Sequence, residues 1–203
     1  MSTRKNAAYN IGYRVFSILL PIITAPYLAR TVGQDGTGLY AYAWSISAVF
    51  VLLGMLGLEN YGVRAIARVK DDPAALNRTF SEIYQMQWLT AGGALLLYVS
   101  YVCFIAGAEK QIAGWLTLMS VSCLFNLDWL LMGLDQFRPI ALRNTFVKLM
   151  ATAGVFLLVK GPGDLWIYGL IWGGSTVVGC QSCWSSLRGR VRFQLVPWQA
   201  AHK

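Results

Sequence analysis

The sequence predicts an all-α polytopic membrane protein of six transmembrane helices, on the basis of its composition, its long apolar stretches and the placement of its basic residues. Of its 203 residues, 56% are hydrophobic and 13% are charged, whereas a soluble domain carries about 25% charged residues. So little charge cannot cover the surface of a soluble globule. Disordered chains are excluded as well, because they are poor in apolar residues and rich in charge. Lipid is therefore the expected solvent of most of the chain.

Six apolar stretches are long enough to cross a bilayer. A transmembrane helix needs roughly 20 residues to span about 30 Å of hydrocarbon, and lipid requires the backbone groups of each helix to be satisfied internally. Three stretches carry no charge, and the others each carry one embedded charge, at Arg14, Asp128 and Lys148. We predict transmembrane helices near residues 8–30, 39–58, 83–107, 112–134, 140–160 and 165–187. They form one domain over residues 1–187, and residues 188–203 follow as a basic cytoplasmic tail.

The first apolar stretch is predicted to remain as the first helix. It is too long for the apolar region of a signal peptide and has no small-residue cleavage pattern at its end. Pro21 and Pro26 lie within it and free backbone carbonyls, which marks a bent helix.

The glycine-rich segment Gly33–Gly38 is predicted to be a tight turn into the second helix. It is not a nucleotide-binding loop, because no buried strand precedes it and no Lys-Ser or Lys-Thr pair follows it.

The segment between the second and third helices has two interpretations. Arg64 and Arg68 lie four residues apart, which places them on one face of a helix. Asp72 followed by Pro73 is typical of a helix N-cap and first helical position. The segment is then an amphipathic helix on the anionic surface of the membrane, or it is a solvated, charged loop.

The sixth helix combines a ridge of small residues with two of the four cysteines. Gly169 and Gly173 favour close helix packing, either within one bundle or between two chains. Cys180 and Cys183 have thioredoxin spacing, but they fall within a predicted transmembrane helix rather than after a strand. All four cysteines are therefore predicted to be buried thiols without redox or metal chemistry.

Basic residues predict the orientation of the helices. Of the 17 Lys and Arg residues, 12 fall at the N-terminus, in the second and fourth loops and in the tail, whereas Arg30, Lys110 and Lys160 fall on the other side. Short loops follow the positive-inside bias, so both termini are expected in the cytoplasm, with the chain in the inner membrane of the cell. The net charge of +8 then needs no nucleic-acid partner, which would require basic residues on one folded face.

No catalytic or metal centre is predicted. His202 is the only histidine and lies in the tail, so the helices offer no histidine to a metal or to a nucleophile. We therefore expect neither enzymatic activity nor a cofactor.

Polar residues inside the apolar stretches are the candidate functional residues, because each is costly in lipid unless it faces protein or water. Two stripes of them recur at helical spacing. The first comprises Asn6, Asn10, Arg14, Ser17, Pro21 and Thr24, and the second comprises Asn144, Lys148 and Thr152. At about 1.5 Å per residue, Lys148 lies roughly 13 Å into its helix, near the middle of the membrane.

These residues permit two interpretations. Either Asp128 pairs with Lys148 or Arg14 and merely neutralises a buried charge, or the two cations line a hydrated cavity between helices. Two embedded cations against one embedded anion suit an anionic substrate better than a cationic one. The candidates are Arg14, Lys148, Asn10 and Asn144 for the cationic lining, with Asp128 and Arg30 as charge partners or gating residues.

Short motifs along nearly the whole chain carry a resemblance to a known family. They are Ala25–Arg30 with Gly33 and Gly36–Tyr40; Gly57-Leu58, Tyr61-Gly62, Arg64 and Ala67; Trp129, Gly133–Asp135, Arg143 and Lys148; and Phe156–Lys160, Asp164 and Tyr168. With these motifs in this order, the chain resembles the Wzx-type oligosaccharide flippases of the multidrug/oligosaccharidyl-lipid/polysaccharide exporter superfamily. It departs from them at Asp135, where the family has glutamate, and at Leu130-Leu131, where the family has aromatic residues.

The resemblance implies translocation of undecaprenyl-pyrophosphate-linked oligosaccharide repeat units, such as those of O-antigen, for bacterial cell-surface polysaccharide. The implied partners are this lipid-linked oligosaccharide, membrane lipids, and the polysaccharide polymerase and chain-length machinery. Arg14 and Lys148 would offset the desolvation of the pyrophosphate. Family members have about twice as many helices, in two lobes, so the six helices are expected to be an N-terminal lobe. A multidrug or toxin exporter lobe and a non-transporting membrane scaffold are the alternatives.

Overall fold

The structure, a computed structural model, describes the backbone of residues 3–187 and most of their side chains. The side chains of residues 3–11, 13, 14, 16, 21, 182 and 185–187 lie outside the described residues, as does the predicted tail 188–203. Within residues 3–187 every regular element is helical. The elements are α1 (Thr3–Thr31), α2 (Gly33–Met55), α3 (Leu58–Val69), α4 (Pro73–Phe104), α5 (Lys110–Leu124), α6 (Asp128–Gly133), α7 (Phe137–Leu158) and α8 (Leu165–Leu187), with a 3-10 turn at Pro162–Asp164 before α8.

The connection between α1 and α2 is shorter than the sequence predicts. Only Val32 separates the two helices, and Gly33 begins α2 with a φ of 85°, which glycine adopts without steric cost. The hydroxyl of Thr37 donates a hydrogen bond to the carbonyl of Gly33 (2.7 Å). Asp35 lies in the first turn of the helix, where a negative charge is favourable. The prediction of a turn over Gly33–Gly38 is therefore wrong, because these residues form the first turns of α2.

The segment after α2 is helical. Gly57 adopts a φ of 74° and turns the chain into α3. Gly62 and Ile66 are buried on one face of this helix, whereas Arg64 and Arg68 are exposed. The amphipathic helix is thus confirmed and the loop alternative is wrong, while the position of α3 on a membrane surface stays a prediction.

Asp72 caps α4, as the sequence predicts. Its carboxylate accepts hydrogen bonds from the backbone N–H groups of Ala74 (2.9 Å) and Ala75 (3.2 Å), which satisfies donors left open at the start of a helix. α4 therefore begins ten residues before the predicted span 83–107. The added turns carry charged and polar side chains, which suit water and lipid headgroups better than hydrocarbon.

The predicted fourth span, 112–134, is two helices rather than one. α5 ends at Leu124 and α6 begins at Asp128. The intervening residues leave the helical conformation, and the side chain of Asn126 accepts a hydrogen bond from the backbone N–H of Asp128 (2.9 Å). α7, in contrast, lies within three residues of its predicted bounds, 140–160, and α8 begins at residue 165, where it is predicted to begin.

α5 lies at the centre of the bundle and packs against α2, α4 and α8. α7 packs against α8 and α1, and α1 closes the arrangement against α2. The ridge of α8 faces α5, because a Cβ added at Gly173 would lie 2.7 Å from the carbonyl oxygen of Trp115. Gly169 likewise lies beside the Trp115 side chain. The small-residue ridge therefore serves packing within the chain rather than contact between two chains.

The outer faces of the bundle are apolar, as lipid requires. Large hydrophobic side chains such as Leu52, Leu96 and Leu157 are 71%, 71% and 68% exposed. Among the described residues, four helical stretches are long and apolar enough to cross a membrane: Gly33–Val69, Pro73–Phe104, Lys110–Gly133 and Phe137–Leu158. The prediction of an all-α polytopic membrane protein is confirmed, whereas the count of six spans stays a prediction.

Candidate functional site

A cavity of about 710 Å³ lies between α1, α2, α7 and α8, with the α5–α6 connection at one end. Its two ends differ in chemistry. One is lined by charged and amide side chains from the α5–α6 connection and from α7, and the other is lined by aromatic side chains from α2 and α8. Such a mixture of apolar walls and a few convergent polar groups is typical of ligand sites.

An ion pair between Asp128 and Arg143 occupies the charged end. Nη2 of Arg143 donates to Oδ1 (2.8 Å) and Oδ2 (3.1 Å) of Asp128, and both side chains are largely buried, at 20% and 13% exposed. Arg143 also donates to the side-chain oxygen of Asn144. The thiol of Cys183 contacts both members of the pair, at 3.1 Å from Asp128 Oδ1. Several hydrogen bonds thus accompany this ion pair, as a charge pair out of water requires.

This pairing differs from one of the two sequence-based interpretations. That interpretation paired Asp128 with Lys148 or Arg14, whereas the described ion-pair partner of Asp128 is Arg143, which the count of basic residues assigns to the fourth loop. The reason is that α7 begins at Phe137, so Arg143 lies almost two turns inside the helix and on its cavity face.

Lys148 lines the cavity further into the bundle. Its Nζ donates a hydrogen bond to the hydroxyl of Ser17 on α1 (2.9 Å), and this contact joins the two polar stripes that the sequence indicates. Asn144 and Thr24 line the same cavity. Among the described lining residues, the charges are two cations and one anion.

Not all candidate residues reach the cavity or can be placed. Thr152 is buried but is not among the described lining residues. Arg30 is exposed at the end of α1 and makes no ion pair within the described residues. The backbone of Asn10 and Arg14 belongs to α1, while their side chains lie outside the described residues, so their predicted roles stay predictions.

Four aromatic residues at the other end of the cavity were missed by the sequence analysis. They are Tyr40 and Trp44 of α2 and Tyr168 and Trp172 of α8. The rings of Tyr40 and Tyr168 meet edge to face with centroids 4.5 Å apart. Each pair is spaced i, i+4, which is the available signal, but aromatic residues near the ends of spans are ordinarily assigned to the membrane interface.

The sequence analysis also missed Gln87, although its side chain is a polar amide within an uncharged span. It is fully buried, and its Nε2 donates to the carbonyls of Cys123 (2.6 Å) and Asn126 (2.9 Å). Its Oε1 accepts a hydrogen bond from the indole N–H of Trp129 (2.8 Å). Gln87 therefore satisfies the backbone carbonyls at the α5–α6 break, and it fixes the connection from which Asp128 projects.

The cysteines occupy different environments. Cys123 and Cys183 are buried, Cys180 is half-buried in the cavity wall, and Cys103 is exposed. The prediction of four buried thiols is therefore wrong for Cys103. Within residues 3–187 no group of three or more His, Cys, Asp or Glu side chains could hold a metal ion.

A helical bundle with apolar outer faces defines the chain as a multi-pass membrane protein. It belongs to the polysaccharide biosynthesis protein family, whose model matches residues 3–197. Two curated relatives carry the name "Putative O-antigen transporter". The one from Escherichia coli (strain K12) is 21% identical over 180 residues, which are 88% of this chain and 43% of that protein. The one from Shigella dysenteriae is 29% identical over 156 residues, 72% of this chain and 37% of that protein.

The chain thus spans about four-tenths of the length of the curated relatives it matches. No solved structure shows a significant match to it. The resemblance drawn from the short motifs is confirmed at the level of the family.

Proposed function

We propose that this chain forms one wall of a flippase that carries undecaprenyl-pyrophosphate-linked oligosaccharide repeat units across the inner membrane. The observation that supports this most is a cavity between lipid-facing helices whose described charged lining is Asp128, Arg143 and Lys148. A net positive lining suits an anionic substrate. The names of the curated relatives favour a polysaccharide precursor as that substrate.

In this mechanism the polyprenyl tail stays in lipid while the pyrophosphate and the sugars pass through the cavity. An uncompensated pyrophosphate in a medium of low dielectric is strongly unfavourable. Lys148 lines the cavity deeper in the bundle than Arg143, and we propose that it meets the pyrophosphate. Asn144 beside it, and Asn10 and Arg14 on α1, complete the proposed lining.

The proposed orientation follows from the basic residues. It places both termini and the exposed arginines of α3 in the cytoplasm, and the charged end of the cavity nearer the cytoplasmic face than the aromatic end. Transport then needs a second wall opposite these helices. The polysaccharide polymerase and chain-length machinery would receive the substrate at the outer face.

The test measures anion binding by the whole chain in lipid nanodiscs. Cys180 lies in the cavity wall, so a ligand in the cavity should slow its alkylation, with Cys103→Ser removing the exposed thiol. A short-chain prenyl pyrophosphate should protect Cys180, and Lys148→Gln should weaken its apparent affinity at least tenfold. Lys160→Gln, a change at an exposed lysine outside the cavity, is the matched control. Equal affinities of the two variants would contradict the role of Lys148.

A second test concerns the second wall. Residues 1–203 expressed alone in a strain that lacks its flippase should not restore surface polysaccharide, because one wall cannot enclose a path. Restored export by this chain alone would overturn the one-wall proposal.

One observation favours a second candidate, the export of lipophilic cations. The four aromatic rings could bind a cation through their π faces. The two cations of the lining oppose this, so a quaternary phosphonium ion should protect Cys180 less well than the prenyl pyrophosphate does. The reverse order would favour a multidrug exporter.

A further inference from the structure

We propose that the aromatic end of the cavity, formed by Tyr40, Trp44, Tyr168 and Trp172, is a saccharide subsite. It would receive the sugars next to the pyrophosphate, while the pyrophosphate itself lies at Lys148. This inference rests on the proposed function and adds to it the part of the protein that contacts the sugars. It also gives the substrate a direction in the cavity, with the sugars toward the α7–α8 connection.

The depths of the residues along their helices separate the two ends. α7 and α8 are neighbours joined by a short connection, residues 159–164. Lys148 lies ten residues before the end of α7, about 15 Å from that connection at about 1.5 Å per residue. Tyr168 and Trp172 lie three and seven residues into α8, or about 5 and 10 Å from it. The rings of Tyr168 and Trp172 are thus offset from Lys148 by about 5–10 Å along the bundle axis, whereas Trp44, eleven residues into α2, lies at about the depth of Lys148.

The chemistry of this end suits a neutral, hydroxyl-rich ligand. The C–H groups on one face of a sugar ring carry partial positive charge and pack against the negative face of an aromatic ring. Ser175 and Thr176, on the next turn of α8 after Trp172, line the same cavity, and their hydroxyls can accept hydrogen bonds from sugar hydroxyls. The ion pair of the described lining, Asp128 with Arg143, belongs to the other end.

The rings border open space instead of filling it. Tyr40, Trp44 and Trp172 are only half-buried, and all three line the cavity. Tyr168 is 8% exposed and supports Tyr40 through the edge-to-face contact. A cluster that served packing alone would be expected to close over such a space, because protein interiors are close-packed.

The experiment uses the whole chain in nanodiscs, with Cys103→Ser, and follows protection of Cys180 from alkylation. Three probes are compared: a short-chain prenyl pyrophosphate, the same molecule carrying a trisaccharide, and the free trisaccharide. The test variants are Trp44→Leu and Trp172→Leu. Trp166→Leu is the matched control, because Trp166 lies on α8 outside the cavity and stacks near Trp115.

The trisaccharide-bearing probe should bind the parent at least tenfold more tightly than the bare prenyl pyrophosphate. Each test variant should lose most of that gain and should bind the bare probe within about twofold of the parent. Trp166→Leu should change neither affinity. This pattern is independent of Lys148→Gln, which tests the pyrophosphate position, so the two proposals can fail separately.

Three results would overturn the saccharide subsite. The first is an equal affinity of both lipid-linked probes for the parent. The second is a loss with Trp44→Leu or Trp172→Leu no larger than that with Trp166→Leu. The third is an equal loss of both probes in the test variants, which would indicate a collapsed cavity. Protection by the free trisaccharide alone, removed by the same variants, would support the subsite even if the pyrophosphate proposal failed.

Discussion

Gln87 and Trp129 are joined by a hydrogen bond of 2.8 Å between the amide oxygen of α4 and the indole N–H of α6. Both side chains are fully buried. Through the same amide group, α4 also holds the backbone carbonyls at the end of α5. One side chain thus stabilises an interrupted helix beside the charged end of the cavity.

Gln87→Leu should lower the free energy of unfolding by about 1–3 kcal/mol, because buried partners lose their hydrogen bonds. Thermal or denaturant unfolding of the purified chain in detergent measures this. Gln111→Leu, at an exposed position of α5, should change stability by less than about 0.5 kcal/mol. A similar loss in both variants would contradict a specific role for Gln87.

Arg143→Gln should lower the abundance of the protein in the membrane, because it leaves the Asp128 carboxylate without its cation. Breaking a buried pair from one side costs about 3–5 kcal/mol, and the partial exposure of this pair places it at the lower end. Adding Asp128→Asn should restore abundance. Lys148→Gln should leave abundance unchanged and should need no such rescue. Quantitative immunoblots of membrane fractions compare the four proteins.

Gly173→Ala should disrupt the contact between α5 and α8. The new Cβ would lie 2.7 Å from the carbonyl oxygen of Trp115, and such overpacking costs about 1–3 kcal/mol. Gly174→Ala is the matched control, because nothing lies within 4 Å of the Cβ it would add, and alanine favours a helix. Unfolding midpoints should therefore move in opposite directions, and a common direction would contradict the packing argument.

The connection between α4 and α5 should weaken in acid. The Tyr101 hydroxyl donates a hydrogen bond to Oε1 of Glu109 (2.6 Å), and this bond, with help from backbone N–H groups, holds the pKa of Glu109 below its usual value. The stabilisation is therefore complete above the unfolded pKa of about 4.3 and is lost as the pH falls through the folded pKa.

Tyr101→Phe should make stability less dependent on pH below about 4.3, as unfolding midpoints measured over a pH series would report. Tyr61→Phe, at an exposed tyrosine of α3, should retain the dependence of the parent. An unchanged acid profile in Tyr101→Phe would rule out this contact as its source.

The proposed orientation is tested by single cysteines in a cysteine-free chain. Gln34, Gly163 and Asp71 are all exposed, so each is accessible to a reagent on its own side of the membrane. An impermeant maleimide added to intact cells should label Gln34→Cys and Gly163→Cys, and it should label Asp71→Cys only after permeabilisation. External labelling at position 71 would reverse the orientation.

The sequence predicts the end of a helix best where a charged residue alone marks the boundary between helix and loop. α8 begins at its predicted residue, Leu165, because Asp164 precedes an uncharged stretch. The break after Leu124 has no glycine or proline to indicate it. It depends on the hydrogen bond from Gln87 to the carbonyl of Cys123, which lies 36 residues away in sequence. Local patterns cannot report such a contact.

The candidate site likewise contains residues that local spacing predicts and residues whose positions depend on contacts distant in sequence. Helical spacing places Asn144 and Lys148 on one stripe, and both reach the cavity. The partner of Asp128 could not be derived from spacing, because it depends on the packing of α7 beside the α5–α6 connection. The aromatic end depends on the packing of α2 beside α8, which no local pattern specifies.

α4 has 32 residues, and its apolar part, residues 83–104, has a length of about 33 Å, against about 30 Å for the hydrocarbon core of a bilayer. A helix longer than the bilayer responds to membrane thickness by tilting. Because Gln87 ties the middle of α4 to the carbonyls of Cys123 and Asn126, a tilt of α4 acts on the α5–α6 connection beside Asp128. Hydrophobic mismatch at the lipid-facing surface is therefore mechanically coupled to the charged end of the cavity.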